Sequence, residues 1–118
     1  MSNELQLAQV ERDIAARKRD IELAESLKRL ESNRDFKKII GELYLNQEAI
    51  RLVHAKADPA LQLDKHQSNI IRDIDAIGSF AGFLSTIHIN GRRASEGLKD
   101  DEATRTELMN ISIGVTNG

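Results

Sequence analysis

Apolar and small residues recur at alternating steps of four and three along a long, proline-free stretch of the chain. This heptad spacing is typical of a helix that packs lengthwise against other helices. It predicts a helix over residues 65–98. We call the following positions the predicted seam: Ile70, Ile74, Ile77, Ala81, Leu84, His88, Gly91, Ser95 and Leu98.

A first helix is predicted over residues 4–30, where apolar residues also recur at heptad intervals. Arg17 interrupts this apolar stripe, and Asn3 followed by Gln6 has the spacing of a capping box. The stripe is narrow, as in a coiled coil. It consists of Leu7, Val10, Ile14, Ile21 and Ala24.

A second helix is predicted over residues 34–56, after the cap residues Ser32 and Asn33. Pro59 ends it, because proline disfavours helical geometry at the preceding residue. The connection to the first helix is so short that the two either fold back as a hairpin or continue as one bent rod. The apolar stripe of the second helix is wide enough to be a core face. It comprises Phe36, Ile39, Ile40, Leu43, Tyr44, Ile50 and Val53.

The remaining elements follow Pro59. Asp64 and Gln67 repeat the capping-box spacing at the start of the third helix. Residues 101–109 predict a short acidic fourth helix, and the alternating polar and apolar residues 111–118 predict an extended tail. The expected fold is therefore all-α, a long helical hairpin or a three-helix antiparallel bundle with coiled-coil seams. It forms a single domain over residues 1–110.

Small residues within the third helix predict close contacts. Gly78 and Gly82 each cost about 1 kcal/mol of helix stability relative to alanine, and the close approach of another helix or of an aromatic ring usually offsets such a cost. The second half of the seam loses its large side chains at His88, Gly91 and Ser95. We expect a partner or a close backbone contact there. Replacing Gly91 by leucine is predicted to leave the fold nearly unchanged and to disturb assembly.

The sequence contains no pattern typical of an enzyme or a metal site. It has no cysteine, which excludes disulfides and thiolate zinc sites. His54, His66 and His88 lie on different predicted elements and have no second ligand at helical spacing. Phosphate-binding glycine loops, nucleophile motifs and HExxH are absent. We therefore expect no enzymatic activity, no metal and no cofactor.

The charge pattern predicts solvated helix faces. The formal net charge is −2, so no global positive field would gather phosphate backbones or anionic lipid. The basic clusters 17–19, 37–38 and 92–93 are flanked by acidic residues, and nucleic-acid binding is not expected. No stretch approaches roughly 18 uninterrupted apolar residues, so we expect no membrane span and a protein kept in a cytoplasm.

Several segments together resemble small helical proteins of tailed bacteriophages, of the kind encoded near head and portal genes. The segments are Asn33 to Ile40, Glu48 to Val53, Ala57 to Pro59 with Leu61 and Gln62, and Ile74 to Gly78. The resemblance covers about residues 26–108. It consists of helix ends and apolar positions, and it carries no catalytic residue.

The resemblance implies a virion structural or assembly protein associated with the phage head or neck. Its partners would be other phage structural proteins of the capsid or portal region, and further copies of itself. It would be assembled in the host cytoplasm and reside in the virion. A small regulatory or host-directed binding protein is the alternative, and a nucleic-acid-associated helical protein is a third. The residues expected to make contacts are Leu7, Val10, Ile14, Ile21, His88, Gly91, Ser95, Ile111, Ile113 and Val115.

Overall fold

The computed structural model describes the backbone of residues 2–117 and the side chains of residues 2–111, and the described backbone is helical nearly throughout. It contains no strand, so the all-α fold class is confirmed. The helices are α1 (Asn3–Ser32), α2 (Arg34–Phe36), a π-helical segment (Lys37–Glu48), α3 (Ala49–Ala57), a 3₁₀ turn (Pro59–Leu61) and α4 (Asp64–Asn117).

Helix α4 is longer than the sequence pattern predicts. The acidic segment 101–109 is part of α4 and does not form a separate helix. The extended tail predicted for residues 111–118 is also wrong as far as Asn117, because the backbone stays helical to that residue. No proline or glycine interrupts residues 98–110. A short alternation of polar and apolar residues does not by itself distinguish a strand from a helix.

The second predicted helix contains a π-helical stretch that changes which residues face the core. Lys37–Glu48 has i→i+5 hydrogen bonding, which makes each turn wider than in an α-helix and changes the direction in which successive side chains point. The side chains of Ile39, Leu43, Ile50 and Val53 are exposed, although the predicted core stripe includes them. The prediction of one wide core face therefore holds only in part. The buried or half-buried apolar side chains on 34–57 are Phe36, Ile40, Tyr44, Leu45, Ala49, Leu52 and Ala55.

Side chains cap the starts of α1 and α2, although only one predicted cap residue acts as expected. The Oδ1 atom of Asn33 accepts hydrogen bonds from the backbone N–H groups of Asp35 and Phe36, both at 3.0 Å. At the start of α1, the Oγ atom of Ser2 accepts the backbone N–H of Leu5 at 3.3 Å, so the cap is Ser2 and not Asn3. A side-chain oxygen at this position satisfies a backbone donor that the helix itself leaves unpaired.

Two glutamine side chains hold the connection between α3 and α4. Gln62 Nε2 donates to the backbone carbonyls of Lys56 and Asp58 at 3.1 and 2.7 Å. Gln67 Nε2 donates to the carbonyls of Lys56 and Leu61 at 3.1 and 2.8 Å. Gln67 was expected to close a capping box with Asp64. It instead donates to the carbonyl of Lys56 at the end of α3 and to that of Leu61 in the 3₁₀ turn. The last carbonyls of a helix have no partner within it.

The chain divides into two compact units, although its length predicts one domain. The central unit is Leu27–Thr86, and the terminal unit comprises Met1–Ser26 and Ile87–Gly118. Both α1 and α4 contribute residues to each unit.

The core of the central unit lies between the helical segment 34–57 and the first part of α4. Leu52, Ile70 and Ile77 are buried together, with Ile74 packed against them. The ring of Tyr44 meets that of Phe80 edge to face, with the centroids 5.9 Å apart. Such an arrangement suits the ring quadrupoles. Ile74 and Ile77 of the predicted seam therefore pack against the second predicted helix, whereas Ala81 is exposed.

In the second half of the seam, every second position is occupied by the residue that precedes the predicted one in the chain. Ile77, Leu84, Gly91 and Leu98 are buried or half-buried as expected. The positions between them are Phe80 instead of Ala81, Ile87 beside His88, and Ala94 instead of Ser95; both Ala81 and Ser95 are exposed. From Ile77 onward the steps therefore run three and four instead of four and three. Phe80 and Ile87 have larger apolar side chains than Ala81 and His88, so this spacing buries more apolar surface, which explains the shift.

Candidate interaction surfaces

In the terminal unit, α1 and α4 approach closely where both helices carry small residues. Gly91 is buried, and a Cβ atom placed on it would lie 2.3 Å from the Cβ of Ala24 and 3.4 Å from the carbonyl oxygen of Asp20. Ala94, one turn further along α4, is 1% exposed. Gly91 therefore serves the contact between two helices of the same chain. The expectation that leucine is tolerated at this position is wrong.

Arg17, which interrupts the apolar stripe of α1, makes the polar contact of this helix pair. Its Nε atom donates to Oδ2 of Asp101 at 3.1 Å. Its guanidinium lies over Gly97, where an added Cβ would come within 2.4 Å of Cζ. Gly97 thus leaves room for the arginine side chain to reach Asp101. Because Ala24 lies opposite Gly91 and Arg17 opposite Gly97 and Asp101, the two helices run antiparallel.

A groove of about 620 Å³ lies at the far end of this helix pair. Its apolar lining is Leu5, Val10 and Leu108, and its polar lining comes from both helices. Leu5 is exposed, as are Met109 and Ile111 on α4. The terminal unit therefore presents apolar side chains both within this groove and elsewhere on its surface.

The central unit has a second groove, of about 460 Å³, between the helical segment 34–57 and α4. We call it the central groove. Its lining is mainly apolar, with a carboxylate from each of the two helical segments. The lining residues are Ile39, Ile40, Leu43, Tyr44, Glu48, Leu52, Asp73, Ala76 and Ile77.

The carboxylate of Glu48 at the edge of the central groove is held by Arg51. Arg51 Nε donates to both carboxylate oxygens at 3.0 and 3.1 Å, and its Nη2 atom also contacts one of them. These hydrogen bonds lower the pKa of Glu48 below its ordinary value and raise the pKa of Arg51. Glu48 therefore stays ionised at neutral pH with its charge already paired, while Asp73 contributes the second negative charge of the groove.

The central unit exposes several large apolar side chains. On the segment 34–57, Leu43 and Ile50 are both 51% exposed and Val53 is 60% exposed. On α4, Phe83 is 63% exposed. Scattered apolar residues are normal on a protein surface, but their concentration on one helix and its neighbour marks this unit as a candidate contact surface.

Gly78 and Gly82 do not lie at a close approach. A Cβ atom added to either would have no heavy atom within 4 Å. The predicted packing of a helix or ring over these two glycines is therefore not found in the described part of the chain. Gly91 is the seam glycine at which the expected backbone approach occurs.

The residues predicted to make contacts fall into four groups. Ile14 is 3% exposed and Gly91 is buried, so both belong to the interior of the terminal unit, and their prediction as contact residues is corrected. Ser95 and Ile111 are exposed, and the side chains of Ile113 and Val115 lie outside the described residues. Half-buried positions are Leu7, Val10, Ile21 and His88. Sequence reasoning missed the central groove, because its π-helical wall redirects Ile39 and Leu43.

The described residues offer neither a three-ligand metal site nor a helix that could cross a membrane. No three histidine, aspartate or glutamate side chains lie close enough together to hold a metal ion there. Within the same residues, no helix combines the length and the apolar character needed to cross a membrane.

No protein-family model matches the chain, and comparisons with curated proteins and with solved structures find no significant similarity.

Proposed function

We propose that the protein is a structural or assembly component of a tailed-phage particle that acts through contacts with other proteins. The resemblance of its helix ends and apolar positions to those of small phage proteins supports this class of protein. The partners would be capsid or portal-region proteins and further copies of the chain, in the virion and during its assembly in the host cytoplasm.

The observation that carries the contact part of this proposal is the exposed apolar surface of the central unit. Leu43, Ile50, Val53 and Phe83 all have at least half of their surface exposed. Apolar side chains of this size gain free energy when a partner removes them from water. A protein that works by assembly keeps such surface available until its partner arrives.

The test is mass spectrometry of gradient-purified particles from a phage that encodes this chain. We expect the protein to sediment with the capsid proteins in a fixed ratio to them, and to persist through a high-salt wash. A tail-fibre or capsid protein of the same particle serves as the positive control. A non-structural phage protein from the same lysate serves as the negative control.

Absence from the particle would refute the structural proposal. Expression before the structural genes, together with recovery on a host enzyme or defence protein, would then favour the host-directed binder. Binding to nucleic acid that weakens steeply with added salt would favour the third function. Neutralising Lys18 and Arg92, both exposed, would be the matching variant for that case.

A further inference from the structure

A depression lined by three basic residues lies in the central unit, where α1 meets the helical segment 34–57. We call it the basic depression. Asn33 joins the two helices with extended backbone (φ −67°, ψ 131°), so the chain changes direction there. The depression has a volume of about 430 Å³. Its lining residues are Ser32, Arg34, Lys37, Lys38 and Glu42.

The cations of the basic depression have no acidic partner within the described part of the chain. Arg34, Lys37 and Lys38 are exposed, and none of them is in an ion pair there. Glu42 lines the same depression and yet does not pair with any of them. The depression therefore holds three positive charges against one negative charge, and its positive groups are free to bind an anion from outside.

The same three cations lie where they do not stabilise their helix. Arg34 is the first residue of α2, and Lys37 and Lys38 follow within about one turn. Positive side chains are unfavourable at the start of a helix, where the helix dipole is already positive. The helix end itself is satisfied within the chain, because Asn33 Oδ1 accepts two backbone N–H groups of the first turn. Helix stability therefore does not account for these basic side chains, whereas the binding of an anion does.

The other two lining residues favour an acidic peptide over a nucleic acid. The Oγ atom of Ser32 donates to the backbone carbonyl of Lys28 at 2.9 Å, so it presents only acceptor lone pairs to a ligand. The carboxylate of Glu42 is also an acceptor, and it is negatively charged. A nucleic-acid backbone would bring a phosphate near Glu42, because it carries one about every 3.4 Å along a strand. A peptide offers carboxylates to the cations and backbone N–H groups to the two acceptors.

We propose that the basic depression binds an acidic peptide segment of a partner protein. Arg34 binds one carboxylate through two parallel N–H groups, the geometry that suits its planar guanidinium, and Lys37 and Lys38 pair with further carboxylates. Ser32 and Glu42 accept backbone N–H groups of the same segment. This inference rests on the proposed action through protein contacts, and it gives the chemistry of the segment that is bound.

The test measures the binding of a fluorescein-labelled hexaglutamate peptide to the full chain by fluorescence anisotropy. The wild type should bind it, and the affinity should fall as salt is added, because the contacts are exposed ion pairs. Combining Arg34→Ala, Lys37→Ala and Lys38→Ala should weaken binding about tenfold or more, which is the combined effect of three such pairs. A hexaglutamine peptide has the same length and no charge, and it should not bind.

The matched control removes three positive charges elsewhere. Lys18, Arg19 and Arg92 are exposed in the terminal unit and do not line the basic depression. Replacing these three by alanine changes the net charge equally and should leave the affinity for hexaglutamate nearly unchanged. Urea unfolding of both triple variants separates loss of binding from loss of the fold. The variant of the depression should be at least as stable as the wild type, because it removes cations from a helix start.

A single-stranded DNA oligonucleotide with the same number of charges tests the other class of polyanion, and it should bind more weakly than hexaglutamate. Three results would overturn the proposal. They are no binding of hexaglutamate at low salt, an equal loss of affinity in both triple variants, and tighter binding of the oligonucleotide through the same three cations.

Detection of the protein in purified particles is measured independently of peptide binding. A protein that is found in virions and does not bind hexaglutamate would refute this site and leave the proposed function standing. A protein that binds hexaglutamate through the basic depression and is absent from particles would refute the structural role in the virion and leave the site standing.

Discussion

Alanine at Gly91 should destabilise the chain, although alanine is the better helix former. The new methyl carbon would lie 2.3 Å from the Cβ of Ala24, and a Cβ atom cannot move without its backbone. The helices must therefore separate. Overpacking of this kind typically costs 1–3 kcal/mol, and the gain in helix propensity is about 1 kcal/mol. Because both clashing carbons are fixed to helix backbones, the cost of overpacking should lie in the upper half of this range, and we expect a net loss of about 1–2 kcal/mol.

Gly82→Ala is the matched control, because Gly82 lies on the same helix and a Cβ atom there has nothing within 4 Å. It should stabilise the chain by about 1 kcal/mol through helix propensity alone. The two substitutions are chemically identical and are expected to have opposite signs. Urea unfolding followed by circular dichroism measures both, with the slope of the transition checked for constancy.

A double-mutant cycle tests the contact directly. Ala24→Gly alone should destabilise the chain, since it removes a buried methyl group and introduces a glycine into α1. Combined with Gly91→Ala, it moves the methyl group from one helix to the other, so the double variant should be more stable than the sum of the two single changes predicts. If Gly91→Ala stabilises the chain as much as Gly82→Ala does, the close approach of α1 and α4 is refuted.

Three further predictions concern single contacts. Gly97→Ala should displace the guanidinium of Arg17 and break its ion pair with Asp101. The change in stability should stay within about 1 kcal/mol, because the loss of this partly exposed pair and the gain in helix propensity offset each other. Nuclear magnetic resonance of the arginine Nε–H would show the lost contact. Leu52→Ala should cost about 2–5 kcal/mol, because Leu52 is 2% exposed in the central core, whereas Val53→Ala should stay within about 0.5 kcal/mol in the same unfolding assay. Arg51→Ala should return the pKa of Glu48 toward its ordinary value of 4.5 in a carboxyl titration; because the folded pKa is lowered, the stabilisation from the pair is present at neutral pH and is lost as the pH falls through that lowered value. An unchanged Glu48 titration in that variant would show that the arginine is not the cause.

The sequence predicts the helices well because the residues that begin and end them act on their immediate neighbours. Pro59 disfavours helical geometry at the residue before it, whatever distant residues do, and Asn33 caps the following helix with its own side chain. The heptad positions of α1 follow the same rule, since Leu7, Val10, Ile14 and Ile21 are all buried or half-buried. Each of these features depends on a few neighbouring residues. Pattern and structure therefore agree.

The errors arise where two local solutions have nearly equal energy and a distant residue decides between them. A helix carrying Ala94 and Ser95 side by side can turn either one inward, and the small residue Ala24 on α1 favours the tighter fit at Gly91 and Ala94. The π-helical turns from Lys37 to Glu48 are a similar case, because they rotate Ile39 and Leu43 outward against the α-helical pattern. Neither outcome is encoded in the spacing alone.

A heptad stripe does not say whether its partner helix belongs to the same chain or to another one. In the terminal unit, the stripe of α1 is covered by α4 of the same chain, with small residues at the crossing and Arg17 satisfied by Asp101. The surface left over for a partner is therefore not the α1 stripe, where the sequence places it. The surface that we propose for a partner lies in the central unit, where Leu43 stays half exposed beside a mainly apolar groove. Because α4 covers the most regular apolar stripe, that of α1, the less regular apolar surface of the central unit becomes the candidate for assembly.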